Sequence, residues 1–212
     1  MHSIAEKQEF TLELSEILKK RRMVRNYTDE PVDRGAIERI VQTGRRAPSA
    51  GFTQGQSFVV VTDPSIRAEI AKLAGEPDYV EAGFDPWISR APVHVIVCIN
   101  EQDYHRRYRE HDKAPDGDML WPVPYWWVDA GASMMLVLLA AVEEGLAAGF
   151  LGVHSIPDLK ALLAIPDEVE PIGVITIGHP APDRKSGSLK RGWRPDTEIK
   201  HWQRWNSPGE GE

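Results

Sequence analysis

The sequence has little cysteine, no excess of basic charge and no long apolar run, and each shortage excludes a class of protein. One cysteine, Cys98, in 212 residues rules out a scaffold held by disulfides. A net charge of −7 provides little electrostatic attraction for DNA or RNA. The uncharged stretch over residues 130–142 is shorter than the roughly 20 residues that span a bilayer, so we expect a buried helix there.

Several motifs that identify active sites are also missing. The chain contains neither G-x-G-x-x-G nor G-x-x-x-x-G-K-[ST], which excludes the corresponding dinucleotide and phosphate loops. The histidines and acids between residues 105 and 118 fit no standard metal spacing, and we expect no metal site. No side chain stands out as a catalytic acid or base. The first ten residues lack the apolar segment of a signal peptide, and the expected location is the cytoplasm.

The hydrophobic pattern that is present predicts one α+β domain over residues 1–212, with more helices than strands. Helices are expected at 10–22, after the caps Asp33 and Asp63, and at 128–146, where the pattern is apolar nearly all round. Buried strands are expected at 58–62, 93–99 and within 171–178. The aromatic residues within 100–127 predict either a lid over a site or packing at an interface. Residues 180–212, with three tryptophans, predict a tail that packs on a partner or on the domain itself.

Two basic clusters are the first candidates for a binding site. Arg21, Arg22 and Arg25 lie at the end of the first helix, and Arg191 and Arg194 lie about 170 residues later. Guanidinium groups donate paired hydrogen bonds to phosphate, although charge runs are more often simply solvated. Two such clusters in an acidic chain favour one shared anion site.

A loop of small residues at 47–56 is the second candidate. Small side chains allow the backbone to approach a flat ligand closely, and Gln54 and Gln56 offer hydrogen bonds. The alternative is an ordinary connection between a helix and a strand.

Four segments in order resemble the FMN-dependent nitroreductase family over nearly the whole chain. Residues 21–27 (RRMVRNY) with Pro31-Val32 are similar to its opening R-R-x-S-x-R-x-F…P-V pattern, and residues 47–54 (APSAGFTQ) to its A-P-S-x-x-N-x-Q loop. Residues 145–152 and the closing segment from Ile165 to Pro195 resemble its G-L-G…W-x-G and I-P…P-I…G-x-P…R elements. The chain departs from the family at Met23, Phe52 and Gly55-Gln56, where serine, asparagine and Pro-Trp are usual.

The resemblance implies a central mixed, mostly antiparallel sheet flanked by helices, in an intertwined homodimer with an extended C-terminal arm. FMN would lie at the subunit interface, with its phosphate near the two arginine clusters. Pro48, Ser49 and Ala50 would come from the other subunit and line the flavin ring. Leu151, Gly152 and Val153 would lie near flavin N5, and Gln54 near the pyrimidine side.

The implied activity is NAD(P)H oxidation by ping-pong hydride transfer through flavin N5 to a nitroaromatic, quinone or enone. The flavin would carry the chemistry. Two alternatives remain open: a non-catalytic flavin carrier or sensor, and a specialised enzyme acting on flavin itself or on halogenated aromatics.

Overall fold

The computed structural model describes residues 12–113, 120–184 and 186–205. Within these residues the chain forms nine α-helices and four β-strands. The helices are α1 Leu14–Lys20, α2 Arg34–Gly44, α3 Pro64–Leu73, α4 Glu76–Glu81, α5 Trp87–Arg90, α6 Glu101–Tyr108, α7 Tyr125–Glu143, α8 Leu159–Leu162 and α9 Asp196–Ile199. The strands are β1 Gln56–Val61, β2 Val93–Ile99, β3 Ala147–Gly152 and β4 Glu170–Gly178.

The four strands form one antiparallel sheet in the order β1-β2-β4-β3. An isolated parallel pairing of Met23 with Ala148 adds the extended segment after α1 to the outer side of β3. Helices pack on the sheet, so the expected α+β architecture with a mostly antiparallel sheet is confirmed.

Alternation along β2 divides the core into two layers, because successive side chains in a strand point to opposite faces. Val93, Val95, Val97 and Ile99 pack in one cluster with residues of α2 and α7. Ile96 and Cys98 pack in a second cluster with Ile70 of α3 and residues of α5 and α8. Cys98 is buried as expected, and burial raises the pKa of its thiol to about 11.

Helix α7 is the central helix, packed against α2, α1 and the sheet. Among the described residues it is the one helix long and apolar enough to cross a membrane. Its contacts with α2 and the sheet are those of a core helix. Part of its surface stays uncovered, with Trp127, Val128 and Met135 exposed.

Some expected elements differ in the structure. The strand expected at 58–62 is β1, which starts at Gln56 and is only half-buried because it is an edge strand. Of the helix expected at 10–22, the structure shows α1 over Leu14–Lys20, and residues 10 and 11 lie outside the described residues. Leu14 and Leu18 of α1 are exposed rather than buried. The helix expected at 128–146 is α7, which begins and ends three residues earlier. The last seven residues of the expected tail lie outside the described residues.

Candidate functional site

The first arginine cluster lies on an extended segment held against the sheet. The Val24 amide donates to the Ala148 carbonyl at 3.0 Å. Gly149 permits this approach, since a Cβ there would lie 2.4 Å from the Val24 carbonyl oxygen. Val24 is buried, whereas Arg22 is exposed and Arg21 half-exposed. Within the described part of the chain, no ion pair or side-chain hydrogen bond engages these two guanidiniums, so both are available to an anion.

Tyr27 fixes the other end of this segment. Its hydroxyl lies 2.8 Å from Thr176 Oγ1 and 3.1 Å from the Val24 carbonyl oxygen. Burial raises the pKa of Tyr27 above its ordinary value, so the hydroxyl keeps its proton. The segment is therefore anchored both to its own backbone and to β4.

The chain after β4 returns to the same segment. The Arg25 amide donates to Asp183 Oδ2 at 2.9 Å, and the Asn26 side-chain amide donates to the Pro182 carbonyl at 2.8 Å. The Ala181 amide donates back to the Asn26 carbonyl at 3.1 Å. Parts of the chain more than 150 residues apart are thereby joined beside Arg25.

A cleft of about 370 Å³ opens at this junction. Its lining includes Arg25, Asp183 and Arg184 together with the stacked rings of Tyr79 and Phe84. The Arg184 guanidinium lies 5.5 Å from the Phe84 ring centre, within the range of a cation–π contact. Asp85 also lines the cleft, so its charged lining comprises two arginines and two aspartates.

The second arginine cluster lies on an exposed part of the chain. Arg191 ends a 3₁₀ turn, Gly187–Arg191, and Arg194 pairs with Glu198 at 3.1 Å. Trp193 between them is 99% exposed. No contact between described residues joins these arginines to Arg21 or Arg22, and the convergence of the two clusters stays a prediction.

The 47–56 loop has an unusual backbone. Gly51, Phe52 and Gln54 have φ angles of 62°, 57° and 55°, in the left-handed region that bulky residues rarely adopt. The Ser49 hydroxyl accepts from the Gln54 amide at 2.9 Å. Pro48 and Gln54 are exposed, and Ser49 and Ala50 are half-buried, so this small-residue surface is open to a ligand.

One residue that the sequence interpretation missed holds this loop. Asp129 of α7 is buried, and its Oδ2 accepts from the Ala50 amide at 2.9 Å and from the Tyr104 hydroxyl at 2.7 Å. A single carboxylate at the start of a long apolar stretch is the signal that could have identified it, because a buried charge needs partners.

The residues expected near flavin N5 lie at the end of β3. Leu151, Gly152 and Val153 are half-exposed, and Gly152 pairs with Gly173 of β4. The imidazole of His154 lies against Gly152, where a Cβ would come within 2.7 Å of the ring. The Arg21–Tyr27 segment pairs with β3 at Ala148, and its later residues, from Arg25 on, contact residues 179–183. Those residues follow Gly178, which pairs with Ala147 at the opposite end of β3 from Gly152.

The aromatic residues of 100–127 do not form one uniform lid. Tyr104 and Trp126 are buried. Trp121 packs edge-on against Tyr108, with ring centres 4.8 Å apart. Tyr125 and Trp127 are exposed, and residues 114–119 lie outside the described residues. A lid function for this region stays a prediction.

Comparisons with known proteins agree with this arrangement. The family model described as "Nitroreductase family" matches residues 18–179. An FMN reductase [NAD(P)H] of Bacillus subtilis is 31% identical over 198 residues, covering 89% of this chain and 74% of that protein. The structure of the hypothetical oxidoreductase YcnD from Bacillus subtilis superposes with a TM-score of 0.70 at 26% identity, covering 92% of this chain and 75% of that one.

The NADPH:FMN oxidoreductase of Vibrio harveyi, solved with NAD+, has a TM-score of 0.69 at 24% identity over 92% of this chain and 79% of that one. At this level of identity the likeness supports the fold alone. The family model covers most of the chain and includes the first arginine cluster, the 47–56 loop and the end of β3. The chain therefore belongs to the nitroreductase family.

Proposed function

We propose that the protein is a cytoplasmic FMN-dependent NAD(P)H oxidoreductase that acts as a homodimer on a nitroaromatic, quinone or enone acceptor. The observation that carries this proposal is the pair of unengaged guanidiniums, Arg21 and Arg22, on a segment anchored beside β3. Two such guanidiniums match the charge and the hydrogen-bond acceptors of a phosphate group. Relatives named for FMN and NAD(P)H supply the identity of the phosphorylated group.

The residues present fit FMN in three respects. Arg21, Arg22 and Arg25 would hold the phosphate end, joined by Arg191 and Arg194 when the C-terminal arm docks. Pro48, Ser49, Ala50 and Gln54 offer a surface of small and polar groups for the ring. Leu151, Gly152 and Val153 line the other side with half-exposed apolar groups and backbone.

A second copy of the chain would complete the site. The exposed apolar residues of α1 and α7 form a face that a partner would cover, because large uncovered apolar patches mark interfaces. The exposed tryptophans Trp193 and Trp205 would pack on that partner. In this arrangement the 47–56 loop of one subunit faces the arginine segment of the other.

Bound FMN supplies the hydride chemistry, passing a hydride from NAD(P)H to the acceptor in two separate half-reactions. The protein's own residues hold the phosphate, orient the ring and keep the slot apolar. Because nicotinamide and acceptor would use one slot in turn, no separate dinucleotide fold is needed. We assign no side chain as a proton donor.

The spectrum of the purified protein tests the cofactor directly. Yellow protein that releases FMN on denaturation, and whose colour bleaches with NADH or NADPH and returns with menadione or nitrofurazone, supports the proposal. Bound FMN that neither nucleotide bleaches would support the carrier or sensor alternative instead. Protein that binds no FMN would overturn the proposal.

Replacing Arg22 tests the phosphate site. We expect Arg22→Ala to weaken FMN binding by about tenfold or more, since a charge-assisted hydrogen bond contributes roughly 1.5–3 kcal/mol. Arg34→Ala is the matched control, because Arg34 is an exposed arginine of α2 that pairs with Glu38 in its own helix. Titration of the apoprotein with FMN, followed by flavin fluorescence, measures both. Equal affinity of the two variants would contradict the assignment.

A further inference from the structure

A buried carboxylate ties the 47–56 loop to two helices. Asp129 of α7 is only 7% exposed, and one of its oxygens receives both the Ala50 amide and the Tyr104 hydroxyl. Tyr104 of α6 is fully buried. Burial, with the Asp129 hydrogen bond, raises the pKa of Tyr104, so its hydroxyl keeps the proton that it donates to Asp129.

Helix α6 and its N-cap residue Asn100 also contact the middle and the end of the loop. Arg107 Nε donates to the Gly51 carbonyl at 2.9 Å, and the Asn100 amide donates to the Gly55 carbonyl at 3.1 Å. A Cβ on Gly51 would lie 2.8 Å from the ring of Tyr108, and one on Gly55 would lie 2.7 Å from the ring of Tyr104. Two tyrosines one helical turn apart thus pack directly against two glycines of the loop.

The loop between these contacts is in a conformation that needs support. Phe52 and Gln54 have positive φ angles without being glycine, and Phe52 is 74% exposed, so little packing of its own ring holds it there. Backbone in this region persists only where the surroundings over-determine it. The hydrogen bonds from Asp129 and α6 provide that constraint immediately before and within the strained stretch.

We propose that Asp129, together with Tyr104, is a positioning residue that holds the 47–56 loop in its flavin-facing conformation. Asp129 acts through the Ala50 amide and not by contact with the flavin. The ring of Tyr104 also packs on Trp121 and Trp126, which restricts the position of α6 against the loop. This inference rests on the proposed function, because it assigns the loop to the flavin.

Two variants remove parts of this contact with little change of shape. Tyr104→Phe keeps the ring against Gly55 and removes only the hydroxyl, and Asp129→Leu removes both acceptor oxygens at similar side-chain volume. Glu76→Gln is the matched control, because Glu76 is another buried carboxylate that accepts backbone amides, those of Ile88 and Ser89, outside the loop. Each full-length variant is compared with wild type by hydrogen exchange of the Ala50 amide, by thermal midpoint and by titration with FMN.

We expect Asp129→Leu to speed exchange of the Ala50 amide about tenfold, because that amide loses its acceptor, and to weaken FMN binding by a similar factor. Tyr104→Phe removes only the hydrogen bond that orients the carboxylate, and it should change both quantities less, in the same direction. Glu76→Gln should lower the thermal midpoint without changing either quantity. Unchanged Ala50 exchange in both loop variants would overturn the contact itself. Faster exchange with unchanged FMN affinity would overturn the positioning role. Failure of wild type to bind FMN is a separate result, which would overturn the proposed function and with it the loop's assignment to the flavin.

Discussion

At the scale of single residues, His94 is a neutral base enclosed in the core. It is fully buried in β2, and its Nε2 lies 2.7 Å from the Ile88 carbonyl oxygen, to which it donates. Its Nδ1 has no hydrogen-bond partner among the described residues. Burial lowers the pKa of His94 from 6.5 to about 4, with a smaller contribution from the Arg67 guanidinium and partial opposition from the hydrogen bond to Ile88. His94 in the folded protein therefore stays neutral at pH values at which His94 in the unfolded chain is protonated.

This difference predicts that stability falls as pH is lowered from 6.5 to about 4. In that window the unfolded chain binds a proton at His94 that the folded chain does not, so the free energy of unfolding decreases. The full effect is about 3 kcal/mol, at 1.36 kcal/mol for each pKa unit. Urea unfolding at several pH values measures it.

His94→Gln and His154→Gln separate this residue from the other titrating groups. The glutamine amide nitrogen occupies nearly the position of His94 Nε2 and can still donate to the Ile88 carbonyl, but it does not titrate, so His94→Gln should lose about 3 kcal/mol of pH dependence between pH 6.5 and 4. His154 is exposed, and His154→Gln should behave as wild type. An unchanged pH profile in His94→Gln would contradict the account.

At the scale of elements, the sequence predicted the helices and strands that are specified by local residue patterns. β2 follows from a run of valines and isoleucines interrupted only by His94 and Cys98, and its bounds agree with the prediction. The caps of α2 and α3 were predicted from Asp33 and Asp63, and each carboxylate accepts backbone amides of its helix. The match to the nitroreductase family, expected from four short motifs, is confirmed.

The elements that the sequence did not reveal depend on distant contacts. β3 (AAGFLG) contains alanine and glycine, which are poor strand formers, and it is a strand because β4 and the Val24 segment lie on either side. The Asp129 contact joins residues 79 apart in the chain, and no spacing rule connects them. The two arginine clusters were found from composition, whereas the convergence proposed for them would depend on a partner subunit.

Gly149 offers a test of how β3 positions the arginine segment. A Cβ at this position would lie 2.4 Å from the Val24 carbonyl oxygen and 2.9 Å from Thr176 Oγ1. The Val24 backbone can shift away from it only at an energetic cost. We expect Gly149→Ala to lower the free energy of unfolding by about 2 kcal/mol, as overpacking does, and to weaken FMN binding because the segment with Arg22 and Arg25 is displaced.

The control for this variant is Gly145→Ala. Gly145 has a φ of 74° and no neighbour within 4 Å of an added Cβ, so its replacement introduces backbone strain of about 1 kcal/mol away from the arginine segment. Chemical unfolding and FMN titration of both variants separate lost stability from lost binding. Normal FMN affinity in Gly149→Ala would show that β3 does not position the arginines.

At the scale of the whole molecule, the single chain leaves much apolar surface uncovered. Leu14 and Leu18 of α1 and Met135 of α7 are exposed, as are the tryptophans of the C-terminal tail. The exposure of such an apolar surface to water is energetically unfavourable, also in a chain with a net charge of −7. A homodimer that covers it would also bring the 47–56 loop of one subunit to the arginine segment of the other.

The most direct test of this arrangement mixes two defective chains. Arg22→Ala removes a phosphate contact, and Ser49→Trp fills the ring surface. If each site takes its arginines from one subunit and its loop from the other, a heterodimer of the two variants has one intact site and one doubly defective site. We predict that co-expressed variants recover FMN binding at about a quarter of all sites, the share expected from random pairing of a two-fold dimer, although each variant alone binds poorly. Recovery of none, with heterodimers demonstrably formed, would contradict a site shared between two copies of the chain.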